Sequence, residues 1–160
     1  MKKIYAFLAQ GFEETEALMV IDLMRRSHTI DVVTVSVTDE LMVESSHKVN
    51  IMADKLIKDI NFDEGNGIFL PGGIPGTPNL EACDMLKQAI LKYYKEGKYL
   101  TAICAAPSIY SHLGLLKDKR ATCHGSFEKE MDCKVNSSSL CIAPLNFSPN
   151  IISSGKTNQV

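Results

Sequence analysis

Short apolar runs alternating with amphipathic stretches constrain this chain more than any other feature of its sequence. Lys3 to Ala9, Ile30 to Val37, Gly67 to Leu70 and Tyr99 to Ile103 are brief and nearly continuous in apolar or β-branched side chains. Runs of that length suit strands buried on both faces. Between them, Glu13 to Arg26 has helical periodicity: Ala17, Leu18, Ile21, Met24 and Arg25 recur on three- and four-residue steps. Its acids come early and Arg25-Arg26 late, the order that suits the helix dipole. Leu80 to Glu96 reads as a second amphipathic helix closed by Gly97, and Ala105 to Leu113 as a short one ended by Gly114. Met42 to Ala53 alternates loosely, as a small hairpin or edge strands would. Ala121 to Cys123 and Ile151 to Ser153 read as further short strands.

Strands alternating with helices predict an α/β fold, a flavodoxin-like or Rossmann-like three-layer sandwich with a mostly parallel central sheet. No linker, repeat or low-complexity tract divides the 160 residues, so one domain spanning 1–160 is expected. Sites in such folds lie beyond the carboxyl ends of the strands. Glu13 to Glu16, Gly72-Gly73, Cys104 and His124 all follow predicted strands, and would gather at that edge.

Composition removes several classes of function. With 17 basic and 19 acidic residues, a net charge of −2 and no Trp, the chain shows no nucleic-acid footprint. No segment approaches the roughly 18 continuous apolar residues of a membrane span. Met1-Lys2-Lys3 and the apolar run after it superficially copy a signal peptide, but Gln10-Gly11-Phe12-Glu13-Glu14 stands where a small-residue cleavage site is needed. Cys83, Cys104, Cys123, Cys133 and Cys141 form no Cys-x-x-Cys pair and no zinc spacing, which fits reduced thiols in a cytoplasmic protein without a metal. Gly72-Gly73-Ile74-Pro75-Gly76 lacks the Gly-Lys-Ser/Thr ending of a phosphate loop, so no nucleotide cofactor is expected.

Leu100-Thr101-Ala102-Ile103-Cys104-Ala105-Ala106-Pro107-Ser108 carries the sharpest chemical signal. An apolar strand ends at a cysteine, small residues follow, and Pro107 suits the first turn of a helix. That is the pattern of a nucleophile elbow, and equally of a buried core cysteine. At an elbow, unpaired N–H groups and the helix dipole would lower the thiol pKa from about 8.5 to about 3.5–7.5. Glycine at 72 and 73 would let backbone approach a substrate and point an N–H at an oxyanion. Glu13 and Glu14 read as solvated acids at a helix start, whereas Glu16 could turn inward toward Cys104 and hydrogen-bond as the protonated acid. His28, His47 and His112 have no context that raises them above exposed histidines; His124 follows a strand.

With these residues in view, the chain resembles the DJ-1/PfpI (ThiJ/PfpI) family, in its DJ-1/ThiJ-like branch, from about Lys3 to Ser126. The resemblance is carried by Gly11-Phe12-Glu13-Glu14-Thr15-Glu16, Leu70-Pro71-Gly72-Gly73, Asn79-Leu80 and Ala102-Ile103-Cys104-Ala105-Ala106-Pro107. It implies a flavodoxin-like sandwich, usually a homodimer, without a cofactor. Cys104 matches the family's elbow nucleophile and oxidisable thiol, Glu16 the protonated acid beside it, and His124 the nearby histidine. The N–H groups of Gly73 and Ala105 match the oxyanion-binding pair. Family activities include glyoxalase, which converts methylglyoxal to lactate, deglycase activity on glycation adducts, redox sensing and chaperoning. Ala105 stands where protease-like members carry a histidine, which argues against a peptidase.

The expected function is therefore a cysteine-dependent glyoxalase or deglycase acting on small α-oxoaldehydes or their adducts, with a non-catalytic redox-sensing or chaperone role as the alternative. The family normally continues from a strand like Ile151-Ile152-Ser153-Ser154 into a glycine-rich turn and a final helix. Here Lys156-Thr157-Asn158-Gln159-Val160 follows, and Lys134 to Asn150 lacks a hairpin pattern. The expectation is a domain without that helix, leaving apolar side chains near Ile4, Ala6 or Ile151 uncovered.

Overall fold

A computed structural model describes the backbone of residues 1–135, 140–142 and 151–154. A seven-stranded sheet runs through it in the order β10-β11-β7-β6-β1-β2-β5. These strands are β1 (Lys2–Leu8), β2 (Ile30–Ser36), β5 (Lys55–Leu56), β6 (Gly67–Leu70), β7 (Tyr99–Ile103), β10 (Leu140–Ile142) and β11 (Ile151–Ser154). Every neighbouring pair is parallel except β10 and β11. The mostly parallel α/β sandwich expected from the sequence is the fold observed.

Side chains alternate across the sheet with the period of two that extended backbone imposes. Along β1 and the residue after it, Tyr5, Phe7 and Ala9 enter one core while Ile4, Ala6 and Leu8 enter the other. The first core packs under α3 (Asp84–Lys95), through Leu86, Ala89, Ile90 and Tyr93. The second packs under α1 (Glu14–Arg26), through Ala17 and Ile21. Ile4 and Ala6, expected to be uncovered, are 9% and 0% exposed because α1 lies over them. The side chain of Ile151 and the ending Lys156 to Val160 lie outside the described residues.

Three further expectations are corrected. The helix read over Leu80 to Glu96 is two: α2 (Gly76–Glu81) and α3. The first βα turn fixes the direction of α2, since Gly76 N–H bonds Gly11 C=O at 3.0 Å and the Asn79 amide bonds Gln10 C=O at 2.8 Å. Cys83, extended at φ −80° and ψ 103°, then turns the chain so that α3 can lie along the sheet. The strand expected at Ala121 to Cys123 is β8 (Arg120–Ala121), parallel to β9 (Lys134–Val135). The chain leaves that ladder because His124 N–H bonds Cys104 C=O instead, at 2.7 Å. Leu140–Ile142, within the stretch read as patternless, pairs antiparallel with β11; three residues are too few to display a period.

The order places β2 on one side of β1 and β6, then β7, on the other. The chain thus reverses direction across the sheet between β1 and β6, which is where ligands bind in open α/β sheets. A separate hairpin, β3 (Met42–Glu44) with β4 (Asn50–Met52), matches the loose alternation read there and touches this edge through a bridge between Phe12 and Ser45.

Candidate active site

Three segments leave adjacent strands at this edge: Ala9 to Glu16 after β1, Pro71-Gly72-Gly73 after β6, and Cys104 after β7. Cys104 has φ +60°, a left-handed conformation that costs a β-carbon-bearing residue of order 1–3 kcal/mol. The strand-to-helix turn holds it there. Ala106 N–H bonds Ile103 C=O at 3.1 Å, and α4 (Pro107–His112) starts at once with proline in its first turn. The elbow read from the sequence is present, and its helix is shorter than expected.

Glu16, in the first turn of α1, is 2% exposed and turns inward. Its carboxyl hydrogen-bonds the Cys104 thiol, and its Oε2 accepts from Gly72 N–H at 3.0 Å. Glu13 caps α1, its carboxylate accepting from Glu16 N–H at 2.6 Å, so the helix start also aims the Glu16 side chain. Glycine at 72 is required by space: a Cβ there would meet Glu16 Oε2 at 2.6 Å and Cys104 Cβ at 2.7 Å. Gly73 is required by conformation, with φ +101°. The N–H groups of Gly73 and Ala105 both donate to the Cys104 sulfur.

The electrostatics differ from the expected depressed thiol. Burial, then the charge of Glu16 and its hydrogen bond, push Cys104 up to about 12, outweighing the Ala105 and Gly73 amides that pull it down. The six-residue α4 begins three residues beyond the sulfur, so its dipole does little. Burial also raises Glu16, and Glu13's charge adds to it, against the hydrogen bonds from Cys104 and Gly72. The Cys104 thiol, hydrogen-bonded to Glu16, therefore keeps its proton well into the alkaline range.

A cleft of ≈ 610 Å³ opens over the sulfur. Cys104, Glu16, Gly73, Ala105 and His124 all line it, so every site residue named from the sequence converges there. His124 is anchored to the elbow by its main chain, and its Nδ1 accepts from Ser126 N–H at 3.3 Å. Ile74, Phe127, Thr15 and the Ser46-His47 pair complete the walls and were not anticipated. Only the placement of the β3–β4 hairpin brings His47 in, and nothing local in its sequence signals that. Ligand atoms of Glu13, Glu14 and His47 lie within 4.8 Å of one another. They are engaged without a cation: Glu13 caps α1, and Glu14 bonds His47 Nδ1 at 2.9 Å and accepts from the Ser46 hydroxyl at 3.3 Å.

The family model for the DJ-1/PfpI family matches residues 2–156 of this chain. The chain belongs to the DJ-1/PfpI family. It is 36% identical over 131 residues to DJ-1 homolog B of Arabidopsis thaliana, covering 81% of this chain and 30% of that one. It thus spans about a third of the length of the first curated relatives it matches. A glutathione-independent glyoxalase of Caenorhabditis elegans is 28% identical over 119 residues, which cover 74% of this chain and 62% of that one. The oxidized DJ-1 of Toxoplasma gondii superposes with a TM-score of 0.88 at 30% identity, covering 98% of this chain and 83% of that one. As a DJ-1/PfpI member, the chain has, among its described residues, no helix long and apolar enough to cross a membrane.

Proposed function

We propose that this chain is a cofactor-independent, glyoxalase-type enzyme acting on small α-oxoaldehydes such as methylglyoxal, or on their adducts. One observation carries the reading: a strained cysteine meets a buried carboxyl and two backbone N–H groups at the floor of an open cleft. The similarity to a glutathione-independent glyoxalase supports it.

In this mechanism the Cys104 sulfur bonds the aldehyde carbon as Glu16 takes the thiol proton, giving a hemithioacetal once that proton reaches the oxygen. The amides of Gly73 and Ala105 stabilise the oxyanion. Glu16 then removes the hydrogen of the former aldehyde carbon, and its return to the neighbouring carbon converts the hemithioacetal to a 2-hydroxyacyl thioester. His124 donates from Nε2 to the oxygen of that second carbon and recovers a proton from the first carbon's hydroxyl, whose oxygen becomes the thioester carbonyl. Water then cleaves the C–S bond, releasing the 2-hydroxy acid and the thiol. Burial raises the pKa of Glu16, which suits it to returning a proton as well as accepting one.

The test is lactate formation from methylglyoxal by the wild type and by Cys104→Ser, with intact mass after peroxide on the same samples. Lactate from the wild type alone is expected; none from either would remove the reading. A redox-sensing role is the second reading, supported by the likeness to an oxidized DJ-1. Peroxide would there convert Cys104 to the sulfinate while being reduced to water, and Glu16 would hold the oxidised sulfur. Stoichiometric oxidation without turnover would favour that role. A cytoplasmic homodimer completes the proposal, with the exposed Leu18, Met19 and Leu23 of α1 as the apolar surface for the second copy.

A further inference from the structure

Two imidazoles line the cleft around Cys104, and their hydrogen bonds set them in opposite tautomers. His124 Nδ1 accepts from Ser126 N–H at 3.3 Å, so the neutral ring carries its proton on Nε2 and donates from there. His47 Nδ1 lies 2.9 Å from the Glu14 carboxylate and 3.1 Å from the Ser46 hydroxyl oxygen. Ser46 itself donates to Glu14 at 3.3 Å, so its oxygen is left to accept. In the neutral ring the His47 proton therefore sits on Nδ1, and Nε2 presents a lone pair that no described residue occupies. Glu14 remains an anion that can only accept. Burial works against its charge, but its own amide, Ser45, His47 and Ser46 together hold its pKa below the usual range.

Position separates the bases of this cleft as well. Glu16 is buried beneath the sulfur, and the Glu13 carboxylate is tied to the helix start. His47 stands at the rim, its side chain 70% exposed while the Glu14 behind it is 16% exposed. Water that attacks a thioester on Cys104 must come from that open side.

Building on the glyoxalase reading, we infer that His47 is the base for the final hydrolysis, its Nε2 taking a proton from the attacking water while Glu14 and Ser46 hold the ring by Nδ1. The water oxygen bonds the acyl carbon, the C–S bond breaks, and the electron pair returns to sulfur. The proton left on the new acid passes to the Glu16–Cys104 pair and restores the thiol. The imidazolium gives its proton to solvent, and the acid leaves as its carboxylate. Glu14 acts here as a positioning residue.

The experiment compares the 160-residue wild type with His47→Ala, His47→Gln and Glu14→Gln, using methylglyoxal as probe. His47→Ala should lose turnover on the order of 10²-fold. Unlike a loss of the earlier steps, it should accumulate the hydroxyacyl thioester on Cys104, seen by intact mass. Free imidazole in the buffer should restore turnover to His47→Ala, and Glu14→Gln should slow hydrolysis only when His47 is present. Normal turnover by both His47 variants, or a loss without accumulated thioester and without imidazole rescue, overturns the inference while leaving the glyoxalase reading intact. A wild type that neither forms lactate nor becomes acylated overturns both.

Discussion

Glu16 and Cys104 meet across Gly72, in the space where any other residue would place its β-carbon. Carboxyl, thiol and glycine come from three segments far apart in the chain, so packing alone brings them together.

Gly72→Ala should therefore damage the site and the fold together. Its methyl group would lie 2.6 Å from Glu16 Oε2, and overpacking of that kind costs about 1–3 kcal/mol. Gly125→Ala is the control, since an added Cβ there meets nothing within 4 Å and the backbone needs no positive φ. Urea midpoints should fall for the first variant and stay nearly unchanged for the second.

The hydrogen bond between Glu16 and Cys104 shows in the thiol's reactivity. The charge of Glu16 and its hydrogen bond raise the Cys104 pKa, so Glu16→Gln should lower it. Alkylation of Cys104 by limiting iodoacetamide should then accelerate at a lower pH than in the wild type. Glu13→Ala should instead cost about 1 kcal/mol of stability through the lost cap, with little change in the alkylation profile. Superimposable profiles for Glu16→Gln and wild type would refute the coupling.

Stability should carry the same signature at high pH. A thiol raised from 9.0 to about 12 on folding favours the folded state fully below the unfolded value. That contribution is lost as the pH climbs from about 9 toward 12, because the unfolded chain sheds its proton first. Cys123, pushed up to about 11 chiefly by burial, adds a loss in the same direction. Urea denaturation from pH 8 upward should show Cys104→Ala gaining on the wild type, with the remaining decline assigned to Cys123 and the buried tyrosines.

The outer face of α1 supplies a test of assembly. Met19 and Leu23 are 50% and 61% exposed and stand one turn apart, beside Leu18. Leu23→Lys should shift a homodimer toward monomer in light scattering at unchanged thermal stability of the monomeric fold. A wild type that is monomeric at high concentration would remove the homodimer proposal.

The strands beneath the site were legible because β1, β2, β6 and β7 are buried on both faces and spell near-continuous apolar runs. The elbow was legible because Ile103-Cys104-Ala105-Ala106-Pro107 compresses a strand end and a helix start into five residues. The break between α2 and α3 was not, since Ala82-Cys83 carries no glycine or proline and the turn is imposed by contacts to Gln10 and Gly11. Nor was the raised thiol pKa: local pattern supplies the amides and the dipole, whereas burial and the charge of Glu16 come from remote sequence. His47 was missed for the same reason, its place on the cleft depending on how a separate hairpin docks.

That hairpin pairs with itself, not with the central sheet. The floor of the cleft is laid down by strands whose shift would disturb both cores, while one wall belongs to a small module joined to the edge by a bridge at Phe12 and Ser45. Insertions or substitutions between Glu44 and Asn50, Ser46 and His47 apart, can reshape the cleft wall without touching the register of β1, β6 or β7. The rim of this scaffold is thus free to drift while the Glu16–Cys104 pair underneath stays fixed.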